Sequence, residues 1–114
     1  MEVIITEDKQ YYTLKISGDL DASSSIILDN ALEKALKETD KTILIDCHEL
    51  DYISSPGIGV FTSRVGDDTS PIVLYGMSEK VFNVFKILGL DQLLPIFKDK
   101  KDVNLEPNGR KNQG

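Results

Sequence analysis

The chain has 114 residues, enough for one domain that buries a core without staples, and its 40% hydrophobic and 28% charged residues suit a globular protein. The net charge of −6 disfavours a general nucleic-acid role, because phosphate backbones want a clustered positive surface. A single cysteine, Cys47, excludes an internal disulfide framework, and with only His48 beside it a four-ligand structural zinc site is not expected, nor any cofactor.

The charge is uneven. Residues 98–114 carry a net +2, which leaves −8 on the other 97 residues. An acidic body favours a partner with a basic docking face. The opening "MEVIITEDKQ" lacks the basic start and apolar run of a secretory signal. The apolar runs are far short of the roughly 20 residues that span a bilayer. A cytoplasmic protein with no membrane span is therefore expected.

In chain order, "EVIITED" and "YYTLKISG" cluster β-branched and aromatic residues around the polar "EDKQ", which predicts a hairpin. Tyr12, Leu14 and Ile16 share one face of its second strand. Gly18 permits a sharp turn, and Asp21, Ser23 or Ser24 supplies a helix cap. Residues 24–38 follow helical spacing, with Ile27, Ala31 and Ala35 beside Leu28, Leu32 and Leu36 on one stripe. "KTILIDC" reads as a strand buried on both faces. A short helix is predicted from about Pro56 to Val65, with Ile58, Phe61 and Val65 inward and Gly66 closing it. "IVLYG" is another buried strand. "SEKVFNVFKILGL" is a helix capped by Ser78, with Val81, Val84, Phe85 and Leu88 as its apolar stripe and Gly89 at its end. "LLPIF" allows a last short strand. Strands alternating with helices imply an α/β fold, a mixed four- or five-stranded sheet with about three helices packed on it. The domain spans residues 1–97, and residues 98–114 read as a polar, flexible tail.

No catalytic constellation emerges. Ser54 or Ser55 with His48 is mere co-occurrence, since a nucleophile elbow needs Gly-x-Ser-x-Gly and the chain has Ser-Ser-Pro-Gly. Asp19 and Asp21 are turn aspartates, and "GIG" at 57–59 is only a fragment of a phosphate loop. The chain is not expected to be an enzyme. The informative stretch is "LDYISSPGIGVF", residues 50–61. If a helix begins near Pro56, Ser55 sits at or beside its N-cap, where a serine is useful as a plain cap. The same place suits an added phosphate, because free N–H groups and the helix dipole favour an anion. A phosphoserine there adds about −1.5 to −2 charges and changes what can dock, without unfolding the helix.

"GDLD" after a first hairpin, "ILID" on a central strand and "LDYISSPGIGV" at the next helix start together resemble the STAS domain, most closely its stand-alone anti-sigma factor antagonists, over roughly residues 2–97. The resemblance implies an antagonist that binds a GHKL-type serine kinase anti-sigma factor, is released when that kinase phosphorylates it, and is restored by a serine phosphatase. The acceptor position, one variable residue before a glycine, falls on Ser55, with Ser54 as the alternative. The implied partner surface comprises Asp19, Asp21, Asp46, Ser54, Pro56, Gly57, Ile58 and Gly59, with small Gly57 and Gly59 admitting close approach. STAS domains also serve as subunits beside a transport ATPase, which is the rival expectation.

Overall fold

The computed structural model describes residues 1–64 and 71–104. The first hairpin forms as expected, from β1 (Glu2–Glu7) and β2 (Tyr11–Leu20). Asp8 shapes the turn, accepting from the N–H groups of Gln10 and Tyr11 at 2.8 Å each. α1 (Ala22–Glu38) follows, then β3 (Thr42–Ile53), α2 (Ser55–Arg64), β4 (Ile72–Tyr75) and α3 (Glu79–Ile87). A 3₁₀ turn at Leu90–Gln92 leads to the two-residue β5 (Ile96–Phe97) and to α4 (Lys100–Asn104). The sheet order is β1-β2-β3-β4-β5, with β1 antiparallel to β2 and every other pair parallel. Each parallel pair needs a crossover, and α1, α2 and α3 supply them. No helix among the described residues is long and apolar enough to cross a membrane.

Side-chain alternation divides the core between the two faces of the sheet. Tyr12, Leu14, Ile16, Ile43, Ile45, Cys47, Ile72 and Leu74 point toward the crossover helices and meet Leu28, Leu32, Phe61, Val81 and Phe85. Tyr11, Leu44, Val73 and Tyr75 point the other way. The expectation that residues 42–45 are covered on both sides therefore holds for Ile43, Leu44 and Ile45, each fully buried.

The reading of residues 98–114 as a tail needs correction at its start. α4 closes the second face, with Val103 fully buried among Tyr11, Leu44, Val73 and Tyr75, and the Lys100 ammonium 5.4 Å from the centre of the Tyr11 ring. One valine in a run of lysines and aspartates has no periodicity to announce it. The uncovered apolar face creates the demand for it. With this helix, the described residues hold four α-helices where about three were expected. The expected Val65 and Gly66 at the end of α2 lie outside the described residues.

Two apolar stripes are narrower than their spacing implied. In α1 the buried positions are Leu28, Leu32 and Ala35, joined by Ser24 and Ser25, while Ile27 is half exposed. At 100° per residue, Ile27 lies on the flank of the stripe, beyond the reach of the strand below. In α3 the buried residues are Val81 and Phe85. Leu88 is the residue after the last turn, where Gly89 enters the left-handed region at φ 77° and carries the chain away from the core.

Candidate functional site

The site grows from the place where β2 and β3 both end. The register sets Asp19 opposite Tyr52 and Leu20 opposite Ile53, so the turn into α1 and the start of α2 emerge side by side. Both helices begin at this edge because both follow parallel strands.

Ser54 ties the two starts together. Its N–H and its hydroxyl both donate to the Leu20 carbonyl, at 2.9 Å each. Its carbonyl accepts from the Ile58 N–H at 2.9 Å, and its Oγ accepts a long bond, 3.4 Å, from the Gly57 N–H. Ser54 is thus the residue that caps α2, and the sequence expectation of Ser55 as cap moves by one position. Ser55 is the first helical residue and is exposed, as is Pro56. Of the two adjacent hydroxyls, one is consumed by the fold and the other faces outward.

Gly57 is buried. A Cβ at this position would lie 2.6 Å from Leu20 Cγ, 2.9 Å from its Cδ2 and 3.0 Å from its carbonyl oxygen. The glycine is required for contact inside the chain, so its expected role in admitting a partner is corrected. Gly59 is different. It is exposed, and a Cβ there would meet nothing within 4 Å. Ile58 between them is half buried against the core.

On the α1 side, Asp21 is the N-cap. Its Oδ1 accepts from the Ser24 N–H and from the Ser23 hydroxyl, at 3.0 Å each, while its own N–H donates to Ser24 Oγ at 2.8 Å. The bond from the Ser24 backbone, and then those from the Ser24 and Ser23 hydroxyls, hold the Asp21 carboxyl below its ordinary pKa. Asp21 therefore stays charged at neutral pH beside exposed Asp19. At the far end of α2, Arg64 grips α1. Its Nε and Nη2 donate to Asp29 at 2.8 and 3.1 Å, and Nη2 also reaches Glu33 at 3.0 Å. Ile26 lies on the same stripe of α1 as Asp29 and Glu33, so it flanks α2, and it is 63% exposed. Sequence reading missed Ile26. The signal was present, since Ile26 and Ile27 are 100° apart and a single core stripe cannot take both.

Asp46 does not join this group. The register puts it opposite Lys15 and Tyr75, seven residues before Ile53 and therefore roughly 20 Å up the strand. Its carboxylate accepts from His48 Nδ1 at 2.7 Å and from the Tyr75 hydroxyl at 3.2 Å, on the face of the sheet away from α1, α2 and α3. The His48 ring stands edge-on to Tyr75 and packs on Gly76, where φ is 83° and a Cβ would lie 2.6 Å from the imidazole. Burial first, and then the neighbouring Asp46 charge, push the Tyr75 hydroxyl up to about 12. The structure thus brings Asp19, Asp21, Ser55, Pro56 and Gly59 to one exposed edge, with Ser54, Gly57 and Ile58 supporting them. It separates Asp46 from them, and it separates His48 from both serines.

Comparison with known proteins agrees with this frame. Residues 5–95 match the family model described as "Mlab, STAS domain". The chain is 30% identical over 105 residues to a protein named anti-sigma-B factor antagonist from Listeria monocytogenes, covering 90% of this chain and 89% of that one. Among solved structures, a putative anti-sigma factor antagonist from Thermotoga maritima superposes with a TM-score of 0.77 at 16% identity, covering 90% of this chain and 92% of the other. The Bacillus cell fate determinant SpoIIAA in its phosphorylated form superposes with a TM-score of 0.61 at 15% identity, covering 91% and 98%. With its mixed sheet, its helix starts gathered at one edge and a family match over most of its length, the chain belongs to the STAS domain family.

Proposed function

We propose that this protein is an anti-sigma factor antagonist whose docking edge, Asp19, Asp21, Ser55, Pro56 and Gly59, is switched by phosphorylation of Ser55. The observation that carries the proposal is the division of labour between the two serines. Ser54 spends its hydroxyl on Leu20, so Ser55 is the one free to take a phosphoryl group without loss of a structural bond. The name of the Listeria relative and the phosphorylated state of SpoIIAA support the same reading. The partner is a GHKL-type serine kinase acting as anti-sigma factor, and a serine phosphatase reverses the modification in the cytoplasm. No chemistry is assigned to the chain itself.

The physics of the switch is local. Pro56 has no N–H, and the Gly57 and Ile58 N–H groups already face Ser54. The start of α2 therefore offers little cradle of its own to a phosphate. The added charge stays directed at the docked partner, beside Asp19 and Asp21. If repulsion and desolvation reach about 3 kcal/mol, binding weakens by more than a hundredfold.

The test is incubation with a GHKL-type anti-sigma kinase and ATP, followed by mass mapping and by affinity measurement on the modified protein. Phosphate on Ser55, its loss in Ser55→Ala and weak binding of the phosphoprotein are expected. Phosphate on Ser54, or undiminished binding after modification of Ser55, would overturn the proposal. Because STAS domains also serve as subunits beside a transport ATPase, the second reading is a subunit held constantly in such a complex. That reading expects a complex indifferent to Ser55→Asp.

A further inference from the structure

A different part of the molecule carries a second surface. β1 is the terminal strand of the sheet, and among the described residues nothing pairs with its outer edge. Its six residues run in unbroken register with β2, without a bulge, a proline or a lysine. Exposed edges usually carry such devices, because unpaired N–H and C=O groups template association. Here the middle of the edge is Val3-Ile4-Ile5, with Ile4 46% and Ile5 45% exposed. Charges flank it at Glu2 and Glu7, and Glu7 is turned to Lys41 at 2.7 Å, on this chain's own surface.

We propose that β1 pairs with β1 of a second copy, antiparallel about a two-fold axis through Ile4, to make a continuous ten-stranded sheet. The register follows from the sequence. Antiparallel hydrogen bonding requires that the two numbers of each facing pair sum to an even value, because only alternate residues point their N–H and C=O groups outward. A sum of eight sets Ile4 on Ile4, Val3 on Ile5 and Glu2 on Thr6. A sum of ten sets Glu2 on Asp8 and Val3 on Glu7, with like charges opposed at both ends. Of these two the first joins apolar to apolar with no opposed carboxylates, and a sum of six would set the Glu2 carboxylate against Ile4.

The helical layer fits the same axis. Val3 and Ile5 lie opposite Ile16 and Leu14 of β2, so they face the side on which α1 lies. Asp29 and Glu33 turn one flank of α1 to Arg64 of α2. Ile27, 49% exposed, is on the other flank, turned away from α2, with half-buried Ala31 beside it. In the paired sheet that flank and its copy turn toward the same axis, while the two strand edges make the isologous contact. The contact is small beside the about 800 Å² per partner of a standard stable interface, so the dimer is reversible and populates on the order of 100 µM and above.

Sedimentation velocity of the full chain from about 10 µM to 1 mM tests this. A monomer–dimer equilibrium is expected, weakened at least tenfold by Ile4→Glu. That variant keeps its fold, since Ile4 faces Lys15 within the chain and the new carboxylate pairs with it, while two carboxylates meet on the axis. A second readout fixes the register. Facing residues in antiparallel strands have Cα atoms about 4.5–5.5 Å apart, within disulfide range, so Ile4→Cys cross-links under mild oxidation. Cys47 is buried and does not compete. Ile87→Cys, more exposed than Ile4 but outside the contact, stays monomeric. A chain that remains monomeric at 1 mM overturns the proposal. So does a dimer that survives Ile4→Glu, or one abolished instead by Leu88→Glu, which would place the contact on the exposed Ile87, Leu88 and Leu93.

Discussion

Two glycines in α2, two residues apart, should respond to the same substitution with opposite sign. In Gly57→Ala the new methyl group would sit 2.6 Å from Leu20 Cγ and 3.0 Å from the Leu20 carbonyl oxygen. Leu20 cannot retreat. It is fully buried, and its carbonyl holds both bonds from Ser54. The start of α2 must therefore lift, at an overpacking cost of about 1–3 kcal/mol. Alanine's better helix propensity returns up to about 1 kcal/mol. The net is a destabilisation of about 1–2 kcal/mol, or a melting temperature lower by roughly 5–10 °C for a domain near this size. In Gly59→Ala the methyl group meets nothing, so only the propensity gain remains, about 0.5–1 kcal/mol and roughly 2–5 °C upward. Thermal melts followed by far-UV circular dichroism, with urea titrations to confirm an unchanged slope, separate the two. If Gly57→Ala melts at or above the unsubstituted protein, the reasoning that glycine is needed there for close packing is wrong.

The remaining predictions use the same contrast between neighbours. Ser54→Ala should cost about 1 kcal/mol, since it removes the hydroxyl bond to Leu20 and the α2 cap, whereas Ser55→Ala should leave chemical denaturation within about 0.5 kcal/mol. Val103→Ala should cost roughly 1–2 kcal/mol from lost burial and the cavity between α4 and the sheet, and an unchanged denaturation midpoint would restore the reading of a tail from residue 98. Tyr75 should ionise late. Its hydroxyl is raised to about 12 from an ordinary 10.0, so its contribution is complete below pH 10 and is lost as the pH rises through about 12. Phenolate absorbance, compared between the intact chain and Tyr75→Phe, should assign that late step to Tyr75.

Most of the frame was legible because it rests on repeating patterns. The alternation of Tyr12, Leu14 and Ile16, the unbroken Ile43-Leu44-Ile45 and the spacing of Leu28, Leu32 and Ala35 each follow from strand and helix geometry. Local chemistry was legible too. Ser78 caps α3, its Oγ accepting from the Val81 N–H at 3.2 Å, and Asp21 caps α1. The errors have one origin. Val103, Ile27 and Leu88 were judged by their own elements, yet their burial depends on what lies across from them. β3 runs to Ile53, well beyond "KTILIDC", because β2 continues alongside it to Leu20.

The residues between Ser54 and Gly59 mark the boundary between the two kinds of knowledge. The amino-acid sequence by itself determined that a helix starts there with hydroxyls at its mouth, since Ser-Ser-Pro-Gly admits little else after an apolar run. Only the tertiary structure decided which hydroxyl is spent and which is free, which glycine is closed and which is open, and that Asp46 faces His48 and Tyr75. Those outcomes depend on the Leu20 carbonyl and on the parallel registers of β3 with β2 and with β4. All arise from contacts between segments distant in the chain, beyond the range of any local pattern.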